Sequence, residues 1–248
     1  MSKSAKVALV VFIVLILDQW LKVWIKLNFG YGEEIDLLGL DWAKLHFVEN
    51  PGMAFGLKLP GNLGKLLLST FRIVAVGFLI YYVRLLIKSG AKTGLLICFG
   101  LILAGAIGNI IDSAFYGLLF TNTPYHGGGV AEFDPGNGYA GFLYGHVVDM
   151  LYFPMFRGTF PEWFPFWSGE NFLFFRPVFN LADASITVGV IALILFYRDF
   201  FTEKPEPAPA PVATTEPLGA PGTTTAPVHG IAETETTGKS GPTGKNVD

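Results

Sequence analysis

The chain has little charge. Asp, Glu, Lys and Arg supply 15% of its 248 residues, against about a quarter in an ordinary soluble domain. So few charges cannot cover the surface of a soluble protein this size, which excludes an ordinary soluble globular enzyme. Cysteine is nearly absent, and the single Cys98 excludes an intramolecular disulfide framework. No Cys/His zinc cluster is visible, so neither metal nor cofactor is expected. Positive charge is not in excess either. The net charge of −3 excludes a strongly basic nucleic-acid binder. There is no internal repeat.

Apolar residues are abundant, at 51% of the chain with a mean hydropathy of +0.47. Four segments carry them: about 7–26, 66–83, 94–111 and 178–197. Each approaches the roughly 20 residues a helix needs to cross about 30 Å of hydrocarbon. The first follows Lys3 and Lys6 as a signal peptide would. It lacks a small-x-small cleavage site and is expected to be retained. The short link 84–93 carries Arg84, Lys88 and Lys92, whereas the longer links 27–65 and 112–177 carry three and two basic residues. By the positive-inside bias, both termini face the cytoplasm and the long links face outward.

The outward links differ. Alternation in Lys44-Leu-His-Phe-Val48 suggests strands, with Pro51-Gly52 as a turn. The second link is aromatic: twenty of the chain's thirty-seven Phe, Trp and Tyr lie between Ser113 and Asn180. The Pro-broken run Trp163-Phe-Pro-Phe-Trp167 is a poor spanning helix and suits the headgroup interface, as a lid over a site. Residues 203–248 hold eight of sixteen prolines and no aromatic, and carry the whole net charge. They are expected to be a disordered cytoplasmic tail beyond a membrane domain of 1–202. The expected fold is membrane all-α: four transmembrane helices, a small extracytoplasmic β region and an aromatic-rich outer link.

A charge inside a membrane segment is costly, from about 3 kcal/mol upward, so each needs a reason. Asp18 lies eleven residues after Val7, about 16 Å along the helix, and Lys22 follows at i+4 on the same face. Asn109 and Asp112 form an i, i+3 pair at the end of the third segment. Asn180 and Asp183 repeat that pair at the start of the fourth, and Asp149 lies in the link between them. Taken singly, these residues read as ion pairs, caps and packing amides. Together they gather in the outer half of the bilayer. Gly100, Ala104 and Gly108 form a close-packing face. No Ser-His-Asp, Cys-His or metal set competes, which leaves an aspartate pair sharing one proton as the leading hydrolytic option. His146, three residues before Asp149, is a possible neighbour.

Five blocks in order resemble the lipoprotein signal peptidases (signal peptidase II), a bacterial membrane aspartyl protease family. They are Asp18-Gln-Trp-Leu-Lys22, Asn50-Pro-Gly52-Met-Ala54-Phe-Gly56, Gly105-Ala-Ile-Gly108-Asn109-Ile-Ile-Asp112, Val147-Val148-Asp149 and Phe179-Asn180-Leu-Ala182-Asp183. The resemblance covers about residues 7–200. It implies an inner-membrane enzyme that cuts prolipoproteins just before a diacylglyceryl-modified cysteine, with membrane lipid around it and no nucleic-acid partner. It makes Asp149 and Asp183 the catalytic dyad, supported by Asp18, Lys22, Asn109, Asp112 and Asn180. Asn50, Gly52, Ala54 and Gly108 then lie beside substrate, and the inhibitor globomycin would occupy the same cleft. The family commonly has Arg where Ser113 stands, which questions a salt bridge there. The links around Asp149 are also longer than usual. Two other readings stay open. An ion-coupled transporter would also place Asp, Asn and Lys in a membrane, although it would need polar groups in the cytoplasmic half. A non-catalytic assembly protein would tolerate Asn at both aspartates.

Overall fold

The computed structural model describes residues 1–51, 61–174 and 176–201. Gly52, Ala54 and the tail from residue 203 therefore lie outside the described residues. The elements run α1 (Lys3–Asn28), β1 (Glu34–Leu37), β2 (Leu40–Asn50), α2 (Gly61–Lys88) and α3 (Thr93–Ile111). A π-helical turn, Asp112–Tyr116, and the short α4 (Gly117–Leu119) continue α3. β3 (Val147–Tyr152), β4 (Phe156–Thr159), β5 (Asn171–Phe174), β6 (Val178–Phe179), α5 (Leu181–Phe196) and a 3-10 turn, Arg198–Phe201, follow.

Three helical stretches, Lys3–Asn28, Gly64–Lys88 and Thr93–Leu119, are long and apolar enough to cross a membrane, and α5 is a shorter apolar helix. Their faces reverse the soluble pattern. On α1, Phe12, Ile16 and Trp20 are exposed, while Asp18, Lys22 and Lys26 are buried. On α2, Phe71, Val74 and Phe78 point outward. Hydrocarbon can solvate such side chains and cannot solvate charge, so the polar groups turn inward.

α3 is the central helix and packs on α1, α2 and α5. Small residues permit this. A Cβ on Gly100 would meet Val7 of α1 at 3.4 Å, and one on Gly105 would fall 2.2 Å from the Ala182 carbonyl oxygen of α5. Ala104, between them in the small-residue series, is fully buried. α5 answers with Gly189, whose Cβ would lie 2.8 Å from the Cys98 carbonyl. Helix backbones approach closely where side chains are this small.

The sheet caps the end of the bundle where α1 and α3 finish and α5 starts. Its order is β1-β2-β3-β6, antiparallel throughout, with Val48 opposite Asp149, Asn50 opposite Val147 and Leu151 opposite Phe179. The fourth apolar segment, expected to begin as helix at 178, instead starts with strand β6 and turns helical only at Leu181. The Asn180 side chain accepts from the Asp183 backbone N–H and sets that boundary. The aromatic stretch forms a separate hairpin of β4 and β5.

Two apolar clusters bracket the bundle's interior. Val7, Val83, Leu86, Leu95, Leu96, Phe99 and Leu193 fill the far end. Ile25, Phe29, Phe47, Tyr116, Phe120, Val148 and Met150 lie under the sheet. Buried Asp18 and Lys22 of α1, and buried Asn109 and Asp112 after α3's apolar start, lie between these clusters along the chain.

Candidate active site

Two amide side chains connect the two carboxylates singled out by the sequence. Asn180 Nδ2 donates to Asp149 Oδ1 at 2.7 Å and to Asn109 Oδ1 at 3.1 Å. Asn109 Nδ2 donates to Asp183 Oδ1 at 2.8 Å. Strand β3 supplies Asp149, the first turn of α5 supplies Asp183, and the end of α3 supplies Asn109. Asp149 and Asn109 are each 6% exposed and Asn180 is fully buried, whereas Asp183 is half-buried. Burial, followed by the nearby Asp183 charge, pushes the Asp149 carboxyl up to about 8. It therefore holds a proton at neutral pH.

Beneath this pair lies a second layer. Lys22 Nζ reaches Asp18 Oδ2 at 3.0 Å, Asp112 Oδ2 at 2.8 Å and Asn109 Oδ1 at 3.0 Å, which uses all three ammonium hydrogens. Asp18 Oδ1 accepts the Ala182 N–H at 2.8 Å, tying α1 to the first turn of α5. Asp112 Oδ2 also accepts the Val148 N–H at 3.2 Å, tying α3 to the strand that carries Asp149. Gln19 donates to Asp112 Oδ1 at 2.9 Å and to Asp18 Oδ2 at 3.1 Å. Two buried carboxylates thus share one lysine, and the layer is stabilised because nearly every lone pair is matched. Arg72 of α2 lies within electrostatic reach of Asp183, Asp112 and Asp149.

Asp149, Asp183, Asn109, Asn180, Asp18, Lys22 and Asp112 therefore form one connected network. Asn50 ends β2 opposite Val147, two residues from Asp149. Gly108 lies under the network, where a Cβ would fall 2.7 Å from Asp18 Oδ2 and 3.2 Å from the Ala182 methyl. That contact accounts for a glycine there. Ser113 returns its hydroxyl to the Asn109 carbonyl at 3.0 Å, and the cation paired with Asp112 comes from α1.

Other polar residues join only in three dimensions. Buried Lys26, Glu49 and Thr123 form a second cluster with the part-buried Tyr139 and His146. Lys26 pairs with Glu49, the Thr123 hydroxyl donates to Glu49 Oε1 at 3.0 Å, and His146 Nδ1 lies 3.0 Å from Glu49 Oε2. Burial alone would raise the Glu49 carboxyl, but His146 and Lys26 outweigh it and hold Glu49 at about 2. His146 thus serves Glu49. The sequence signals that could have found this cluster are a lysine near the end of an apolar helix and a glutamate within an alternating strand. Among the described residues, no group of three or more His, Cys, Asp or Glu side chains is arranged to hold a metal ion.

Apolar-faced helices around a buried carboxylate network, roofed by a small sheet, are the build of a membrane protein with a polar site at one end of its helix bundle. The family model for signal peptidase (SPase) II matches residues 10–198. A lipoprotein signal peptidase of Porphyromonas gingivalis is 47% identical over 192 residues, covering 77% of this chain and 82% of its own length. Its counterpart in Amoebophilus asiaticus is 40% identical, over 76% of each chain. A solved structure described as a bacterial membrane enzyme shares the fold with a TM-score of 0.51 at 21% identity, over 82% of this chain and 94% of that one. The chain belongs to the signal peptidase II family and is a bacterial membrane protease.

Proposed function

We propose that the chain is an intramembrane aspartyl endopeptidase that removes signal peptides from prolipoproteins, cutting before a diacylglyceryl-modified cysteine. The relatives that match it over most of its length are named lipoprotein signal peptidases. The observation that carries the mechanism is the Asn109–Asn180 amide bridge between Asp149 and Asp183. Asp183, the more exposed carboxylate, takes a proton from water as its oxygen attacks the scissile carbonyl carbon. Asp149, which holds a proton, donates a hydrogen bond to the carbonyl oxygen and stabilises the tetrahedral intermediate. Asp183 then passes its proton to the leaving amine as the C–N bond breaks. The pair returns to its single-proton state.

The remaining residues hold this geometry. Lys22, Asp18 and Asp112 lock α1, α3 and α5 together, and Asn50, at the end of β2 opposite Val147, lies next to the strand that carries Asp149. The basic link Arg84–Lys92 supports an orientation with both termini in the cytoplasm and the sheet at the outer face. α5, with about 24 Å of helix at 1.5 Å per residue, completes a fourth span. A substrate held by two acyl chains then meets the dyad without leaving the bilayer. Globomycin is expected to compete for the same cleft.

The test supplies purified full-length protein with a diacylglyceryl-modified prolipoprotein. Asp149→Asn and Asp183→Asn should each abolish cleavage while the protein still folds. Activity retained in either variant removes that residue from the dyad. Equal cleavage of an unlipidated precursor overturns the substrate assignment.

A further inference from the structure

Two arginines that the proteolytic site does not use flank a pocket in the aromatic hairpin. Arg157 lies on β4 opposite Leu173, and Arg176 follows β5. With Gly158, Thr159, Asn171 and Phe172 they line a cavity of about 490 Å³. A second cavity of about 280 Å³ shares Asn171, Phe172 and Arg176 and adds Phe160, Trp167 and Glu170. We propose that this double pocket binds the headgroup of an anionic phospholipid, with the phosphate between Arg157 and Arg176.

Charge favours that occupant. Neither guanidinium has an ion pair among the described residues. Glu34 of β1 acts on Arg157 electrostatically, but its own carboxylate is engaged by Lys44 at 2.8 Å. Glu170 borders only the smaller cavity. Planar guanidinium groups match phosphate oxygens in two-point contacts, which makes arginine the better choice over lysine at such a site. The Thr159 hydroxyl donates to Asn171 Oδ1 at 2.8 Å, which leaves the Asn171 amide nitrogen as a donor for the ligand.

The walls favour a lipid over a free anion. A Cβ on Gly158 would fall 2.7 Å from the Phe172 ring. The missing side chain lets that ring lie across the strand as an apolar floor. Phe160, Phe164 and Trp167 pack on one another with centroids 5.1 to 6.0 Å apart. Trp163 and Phe166 project from the same tip, each 79% exposed. Amphipathic rings of this kind settle at the headgroup level of a bilayer. The hairpin joins β3 to β6, so it stands at the dyad's end of the bundle. The inference rests on the membrane reading and is independent of the proteolytic one.

The test measures lipid retained by the purified full-length protein in neutral detergent containing equimolar phosphatidylglycerol and phosphatidylcholine. The wild type should be enriched in phosphatidylglycerol. Arg157→Gln/Arg176→Gln should lower that affinity about tenfold or more, and Arg157→Lys/Arg176→Lys should restore part of it. Inorganic phosphate at millimolar concentration should not displace the lipid. A second measurement needs no variant: phosphatidylglycerol should protect Arg157 and Arg176 of the wild type from an arginine-specific dicarbonyl reagent, read by peptide mass. Equal retention in the Gln variant, equal retention of phosphatidylcholine or failure to protect overturns the proposal. Displacement by inorganic phosphate overturns the lipid assignment in favour of a small-anion site.

Discussion

Asn180 holds two kinds of bond, and two substitutions separate them. Its Oδ1 caps α5 by accepting the Asp183 N–H, and its Nδ2 donates to Asp149. Asn180→Ala loses the cap, which costs about 1 kcal/mol, and a hydrogen bond to an ionisable group, which costs about 2 kcal/mol. Destabilisation of about 3 kcal/mol should appear as a lower Tm. The Asn180 hydrogen bond favours the charged form of Asp149. Losing it moves that carboxyl further up from about 8, so the alkaline limb of the cleavage profile should move to higher pH. The rate itself should fall about a hundredfold, because the dyad loses its alignment. Asn180→Asp keeps a good cap but supplies no donor. It should retain more stability than Asn180→Ala and be equally poor in catalysis. The assay is cleavage of a fluorogenic lipopeptide from about pH 5 to 10, with thermal unfolding of the same samples. An Asn180→Asp variant as active as wild type, or an unmoved alkaline limb in Asn180→Ala, would refute the reasoning.

Other outcomes follow from the same geometry. The folded protein binds more protons at Asp149 than the unfolded chain between the ordinary aspartate value of about 3.9 and about 8. Stability should therefore fall as pH rises across that window, and Asp149→Asn should flatten the fall in thermal unfolding. Lys26→Met leaves Glu49 buried without its cation and should cost about 3–5 kcal/mol; Glu49→Gln in the same chain should recover much of it, as a double-mutant cycle would measure. Gly105→Val drives a side chain into the Ala182 carbonyl of α5. It should cost about 1–3 kcal/mol and reduce kcat more than KM, since Ala182 adjoins Asp183. An unchanged kcat would dissociate the α3–α5 contact from catalysis.

The paired positions Asn109/Asp112 and Asn180/Asp183 were legible because helix periodicity and membrane depth place them before any tertiary contact is known. Asp18 and Lys22 were legible as a pair, four residues apart on one face. Their further partners were not, since Asp18 also binds the Ala182 N–H, which is 164 residues away. Gln19 was hidden because its neighbour Asp18 points into the network, and adjacent residues on a helix ordinarily face apart. The Lys26–Glu49–His146 cluster depends on the register of β2 with β3, which alternation alone does not choose. The π-helical turn at Asp112–Tyr116 had no sequence signature either. It is stabilised by the following loop, where Gly145 donates to the Ser113 carbonyl at 2.9 Å.

The pairing of β3 with β6 separates the geometry of the proposed dyad from the length of chain between its two aspartates. Leu151 opposite Phe179 and Tyr152 opposite Val178 clamp the two strands where the hairpin leaves and returns. Inserted chain beyond the clamp costs only loop-closure entropy, about 0.6 kcal/mol for each doubling of its length. The segment between Tyr152 and Val178 is thus an exchangeable module. It can be lengthened, shortened or replaced to suit a different membrane surface while Asp149 and Asn180 keep their positions, so this region can diversify without rebuilding the proposed dyad.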